Sequence, residues 1–211
     1  MSCGGEARPP EPQELVRDGA RPLTVRRGDF DGDGAAELVI ASVSEKPTAF
    51  GLPTPYLEVF DDRDGEWGRV FDATDHAPEG EGTPPMMLEA ASEEFASGQA
   101  VDALELVPFA DDDSKEIVAA ISNVGATAGP LELWVISMSP DGRLKTDYYM
   151  RTERGGRIAV RGDTVAIEFG VYRRDDPGCC PSRFEIRVIG HDAERNVIGV
   201  LERHRESLES G

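Results

Sequence analysis

Fourteen residues near the start of the chain constrain its fold more than any others: Arg27-Gly28-Asp29-Phe30-Asp31-Gly32-Asp33-Gly34-Ala35-Ala36-Glu37-Leu38-Val39-Ile40. Asp29, Asp31, Asp33 and Glu37 stand at positions 1, 3, 5 and 9 of a loop that runs straight into an apolar strand. Alternate residues of a tight loop can all point inward, which is how a hard cation gathers its six to eight oxygens. Gly32 and Gly34 allow the positive φ angles that such a curl needs. The main-chain carbonyl of Ala35, at position 7, supplies a further oxygen. Crowded carboxylates suit Ca²⁺ better than Mg²⁺. The alternative is an Asp/Gly turn whose side chains cap backbone amides, but plain Asx turns give no reason for Glu37 to stand in register.

An EF-hand is excluded by count, because its loop needs a bidentate Glu at position 12 and Ile40 stands there. The segment Gly28-Asp29-Phe30-Asp31-Gly32-Asp33-Gly34, trailed by Glu37-Leu38-Val39-Ile40, resembles the calcium loops of FG-GAP and VCBS repeats. Those repeats form β-propeller blades in integrin α-subunits and in many secreted bacterial proteins. The resemblance covers one good repeat and implies Ca²⁺ held by Asp29, Asp31, Asp33, the Ala35 carbonyl and Glu37. Asp29-Phe30-Asp31-Gly32-Asp33 also resembles the D-x-D-G nucleophile loop of haloacid-dehalogenase-type phosphatases. That reading implies Asp29 as nucleophile and Asp31 as acid/base, working with a metal. It requires a buried strand before the loop, whereas the approach here is Leu23-Thr24-Val25-Arg26-Arg27-Gly28, short and charged. No later alternation of long strands and helices points to the α/β sheet it needs.

The rest of the chain reads as β structure. Its 211 residues suit one domain with a tether. A hydrophobic share of 39% with 23 Gly and 15 Pro fits a turn-rich β protein. Strands are expected at 36–42, 56–60 and 67–72, with an Asp-Gly hairpin before the last. The same order returns at 103–109, 116–121, 131–137 and 144–150, and again at 157–160, 164–172, 184–190 and 196–202. Residues 13–25 read as one helical turn and a first strand. A helix is expected over 85–97, where Met87, Ala91 and Phe95 share a face. Aligning Glu116 with Glu37 puts Phe109 under Phe30, while Pro108 and Ala110 replace the first two aspartates. The third unit has no such loop, so one metal site is expected. The expected architecture is mainly β: three antiparallel meanders resembling propeller blades (about 20–75, 100–150 and 155–205), open or incomplete, plus one short helix. A closed propeller takes at least four blades.

Charge and cysteines bear on location. A formal net charge of −19 argues against nucleic acid or an anionic membrane surface as partner. No stretch approaches the length of a membrane span. Met1-Ser2-Cys3-Gly4-Gly5-Glu6 resembles the processed start of a bacterial lipoprotein, with Met-Ser replacing the signal. Cys3 is then the lipidated residue, residues 1–12 are a flexible, Pro-rich tether, and 13–211 form the single β-rich domain. Asp176-Pro177-Gly178-Cys179-Cys180-Pro181-Ser182 resembles a segment of actinobacterial secreted lipoproteins of the LppP/LprE type, lying between two strands. Cys179 and Cys180 are either a strained vicinal disulfide, two thiols, or links to partners. Both resemblances imply an extracytoplasmic, lipid-anchored protein, and neither brings a catalytic activity. The histidines show no metal spacing, and Arg-Gly-Asp at 27–29 and 161–163 reads as loop and turn. The expected function is a non-enzymatic, calcium-stabilised binding or structural module whose ligand, a protein or a glycan, the sequence leaves open.

Overall fold

The computed structural model describes residues 10–30, 34–46, 55–63, 65–73, 99–109, 115–123, 130–138, 143–177 and 180–207. They form one four-residue helix, α1 (Pro12–Leu15), and twelve strands in three antiparallel sheets of four. Sheet one holds β1 (Ala20–Gly28), β2 (Glu37–Ser44), β3 (Pro55–Arg63) and β4 (Glu66–Asp72) in that order. Sheet two holds β5 (Gln99–Val107), β6 (Glu116–Asn123), β7 (Leu131–Met138) and β8 (Leu144–Arg151). Sheet three holds β9 (Arg157–Arg161), β10 (Thr164–Val171), β11 (Arg183–Asp192) and β12 (Val197–Ser207). All the strands expected from the sequence are present, and the mainly β fold class holds. The short helix described is α1, in the stretch read as a helical turn and first strand. The helix expected at 85–97 lies outside the described residues.

Register shows that the units are repeats in structure as well as in pattern. Gly28 pairs with Glu37 in sheet one, and Val107 with Glu116 in sheet two. The pairing of first and second strands slips between Pro22 and Thr24 in one and between Val101 and Ala103 in the other, at corresponding positions. A second bulge recurs in all three sheets, between third and fourth strands, at Val59/Phe60, Val135/Ile136 and Val188/Ile189. Each inserts one residue into the fourth strand and bends it.

Alternation along the strands gives each sheet two faces. Leu38, Ile40 and Phe60 lie on what we call the leading face of sheet one; Val39, Ala41, Leu57 and Val59 lie on its trailing face. The trailing face of sheet one packs against Ile117, Ala119, Trp134 and Ile136, which form the leading face of sheet two. The trailing face of sheet two, with Val118, Leu133 and Val135, packs in turn on Val165, Ile167 and Ile189, the leading face of sheet three. Both seams therefore join equivalent surfaces in the same sense. Like strands also meet: β1 lies against β5 and β5 against β9, while β4 lies against β8 and β8 against β12.

Among the described residues no sheet lies before the leading face of sheet one. Val16, with Leu15 beside it, packs there instead with Ala20, Leu38, Ile40 and Phe60 of the sheet. Arg17 fastens this cap. Its guanidinium lies 3.9 Å over the Tyr56 ring, donates to Glu58 at 3.2 Å and pairs with Asp72. Glu58 is fully buried and also takes Arg69 at 2.6 Å. Breaking one member would leave a buried charge uncompensated, which is where such networks are costly.

Candidate functional site

Antiparallel order places the loops 29–36, 108–115 and 162–163 at one end of the three sheets, each joining a first strand to a second. In the first loop Glu37 is 2% exposed, and its Oε2 accepts the Phe30 amide at 2.6 Å. Phe30 is buried between sheets one and two. Gly28 has to be small, since a Cβ there would come within 2.9 Å of the Phe30 ring and 3.2 Å of Leu106. In the second loop Glu116 Oε2 accepts the Phe109 amide at 3.1 Å, and Phe109 is buried between sheets two and three. The two loops thus share one latch. A carboxylate opening the second strand holds the amide of an aromatic seven residues back, and that aromatic keys into the next sheet.

The third unit shows what replaces the latch. Thr164 takes the register position of Glu37 and Glu116, and its hydroxyl donates to the Arg161 carbonyl at 3.1 Å. Gly162, at φ 60°, turns the chain in two residues. With no long loop to fasten, neither Phe nor Glu is needed.

Of the acids in the first loop, Asp29 and Glu37 are described. Asp29 is exposed, and its Oδ2 accepts the Gly34 amide at 3.0 Å, with Gly34 at φ 88°. That bond draws the first and sixth loop positions together and curls the segment. The exposed Ala35 and the buried Glu37 follow at loop positions 7 and 9. Asp31 and Asp33 lie outside the described residues. Among the described residues no three His, Cys, Asp or Glu side chains gather as a metal cluster. The donor chemistry nonetheless fits a hard cation. Four carboxylates and a carbonyl occur within nine residues, and the curl that Asp29 and Gly34 set up is the one a cation loop needs. Glu37's register also has a reason that involves no cation, because one of its oxygens serves Phe30 whether or not the loop is loaded.

Cys180 sits at the opposite end, in the connection 172–182 between β10 and β11. Cys180 is exposed and its amide donates to the Pro177 carbonyl at 2.9 Å. Asp176 organises this loop, accepting the amides of Arg173 at 2.7 Å and Ser182 at 2.9 Å. Those bonds, Arg173's first, hold its carboxyl below the usual range. Cys179 and Cys3 lie outside the described residues.

Sequence reading missed the carboxylate–arginine groups inside the seams. Glu132 and Glu185 occupy the same position of β7 and β11, both on the leading face. Burial pushes Glu132 above the ordinary Glu value despite Arg151 at 3.1 Å. The neighbouring Tyr149 phenol, also desolvated, is pushed up to about 12. At Glu185 burial pulls the same way, but Arg187 and Arg205, each at 2.7 Å, and Arg203 at 3.3 Å outweigh it and hold the carboxyl low. The signal was present in the strands: Leu131-Glu132-Leu133 and Phe184-Glu185-Ile186 each set one acid among apolar neighbours.

A scan against protein-family models found no match for this chain, and a search of curated proteins found none either.

Proposed function

We propose that this protein is a non-enzymatic, extracytoplasmic binding or structural module, anchored through a lipid on Cys3 and stabilised by Ca²⁺ in the first loop. Asp29, Asp31, Asp33 and the Ala35 carbonyl are the ligands, with Glu37 as the ninth-position carboxylate that already fixes the loop through Phe30. The bound ion would supply charge neutralisation and loop rigidity. The observation that carries this reading is the shared latch. The second loop keeps Phe109 and Glu116 without alternating acids, so the acids of the first loop are surplus to folding and call for another use.

The stacking supports blades of the propeller type: equivalent faces meet in one sense, and first strands and fourth strands each run together. Three such sheets leave the arrangement open. The alternative reading, a metal-dependent phosphatase using Asp29 and Asp31, draws no support from the antiparallel sheets that flank the loop.

Thermal melting separates the two classes. The proposal expects a lower Tm in chelator, restored by Ca²⁺, with no hydrolysis of an aryl phosphate in Mg²⁺. Binding to the folded state alone at a hundredfold excess over Kd would contribute about 2.7 kcal/mol. Turnover that disappears in Asp29→Asn would establish the phosphatase reading instead. Mass spectrometry of the native protein should find Cys3 modified, and an unmodified Cys3 would remove the anchor from the proposal.

A further inference from the structure

The seams described above obey one rule: a trailing face is covered by the leading face of the next sheet. Among the described residues sheet three ends the series, and none of the three core clusters takes in its trailing face. The face keeps apolar residues where its counterparts are buried. Val188 corresponds to Val59 and Val135, both fully buried, yet is only half-buried itself. Leu201 is the inserted residue of the third bulge and corresponds to Val70, which packs into the first seam. Leu201 is 43% exposed, and Val197 on the same face is 50% exposed. These two are the exposed large hydrophobic residues among the described ones. Leu201 lies over Gly190, where a Cβ would come within 2.7 Å of its Cδ1, which fixes it on this side of the sheet.

We propose that the trailing face of sheet three is the contact surface of a symmetric homodimer. A second copy is the occupant for two reasons. First, stacking by the rule of the seams would need a free leading face. Among the described residues, the leading face at the other end of the series, that of sheet one, is covered by Val16 and fastened by Arg17. The remaining way to cover a trailing face with another copy is to place two of them together. Second, the edges are complementary. The β9 edge carries Arg161 and Arg157, the latter paired with Glu168 at 2.7 Å, and the β12 edge carries Glu202 and Glu206 with His204 between them, 3.0 Å from Glu202, around a centre of Ile186, Val188 and Leu201. A two-fold axis parallel to the strands lays β9 of one copy over β12 of the other, so the basic edge meets the acidic one twice. Apolar centre and charged rim are the anatomy of an interface. Four strands about 4.8 Å apart and about 30 Å long cover roughly 1,200 Å² over both partners, the low end for a stable association. An area of that size fits a weak self-association, not an obligate dimer.

Sedimentation equilibrium of the full chain, from low micromolar to near-millimolar concentration, tests this. The expected result is a monomer–dimer equilibrium that Leu201→Asp abolishes while the far-ultraviolet circular dichroism stays unchanged. Arg161→Glu should weaken it about tenfold, and Arg161→Glu combined with Glu202→Arg should restore most of the loss. If Leu201→Asp perturbs the fold, the charge swap alone carries the test. A monomer throughout the range overturns the proposal. So does a dimer indifferent to these changes, or one abolished instead by Arg17→Ala at the opposite end of the molecule.

Discussion

The loops 29–36 and 108–115 are the same device with different cargo. Each begins with a strand end, buries a phenylalanine in the next seam and returns that residue's amide to a carboxylate on the second strand. They differ in the residues flanking the phenylalanine, where Asp29 and Asp31 give way to Pro108 and Ala110. The difference separates two roles that sequence alone runs together. Phe and Glu belong to the four-stranded unit, and they recur in both units whose first two strands are joined by a long loop. The alternating acids belong to the first loop only.

The comparison breaks most visibly at the aromatics. Phe30→Ala and Phe109→Ala should each cost about 3–5 kcal/mol in denaturant melts, the usual loss for a buried aromatic truncated in a core. If one costs far less than the other, the two loops are not equivalent keys. The latch carboxylates come next. Glu37→Ala strands a buried amide, worth about 1–3 kcal/mol, whereas Glu116→Ala should cost less in chelator, because the Phe109 amide also donates to the Val107 carbonyl at 3.1 Å. Adding Ca²⁺ should widen the gap for Glu37→Ala alone.

A smaller effect distinguishes the seams by pH. Glu132, held high by burial, stabilises the fold fully below its unfolded value, and that contribution is lost as pH rises through its raised folded value. Glu185, held low by its arginines, behaves oppositely: its contribution is present above the unfolded value and lost as pH falls through the folded one. Glu132→Gln should therefore flatten the decline in stability as pH rises above 4.5. Glu185→Gln should flatten the loss on the acid side below that value. Stability-versus-pH curves that respond in the reverse sense would show that the two seams have been assigned the wrong way round.

Much of this was legible in the sequence. Alternation and Asp-Gly turns located the strands because sheet periodicity is local. The alignment of Glu116 with Glu37 and of Phe109 with Phe30 agrees with the register, while the amide bond that joins each pair came only from the structure. Sequence spacing could not show why Glu37 stands in register, because a metal ligand and an amide cap want the same residue at the same distance. Nor could it show the direction of stacking, which depends on which face meets which across residues far apart in the chain. The buried carboxylates of the cap and the seams were hidden for the same reason. Arg17 reaches Glu58 and Asp72 from another element, and Arg205 reaches Glu185 across a strand pair.

The claim that a cation is held by the first loop and not the second is tested most directly by isothermal titration calorimetry of chelator-stripped protein. Wild type should bind one Ca²⁺ per chain. The double variant Asp31→Asn/Asp33→Asn should give no heat while melting like the wild type in chelator, its latch intact. Absence of heat in the wild type, or binding that persists undiminished in the variant, would contradict the assignment and leave the loop a turn held by Glu37 and Asp29 alone.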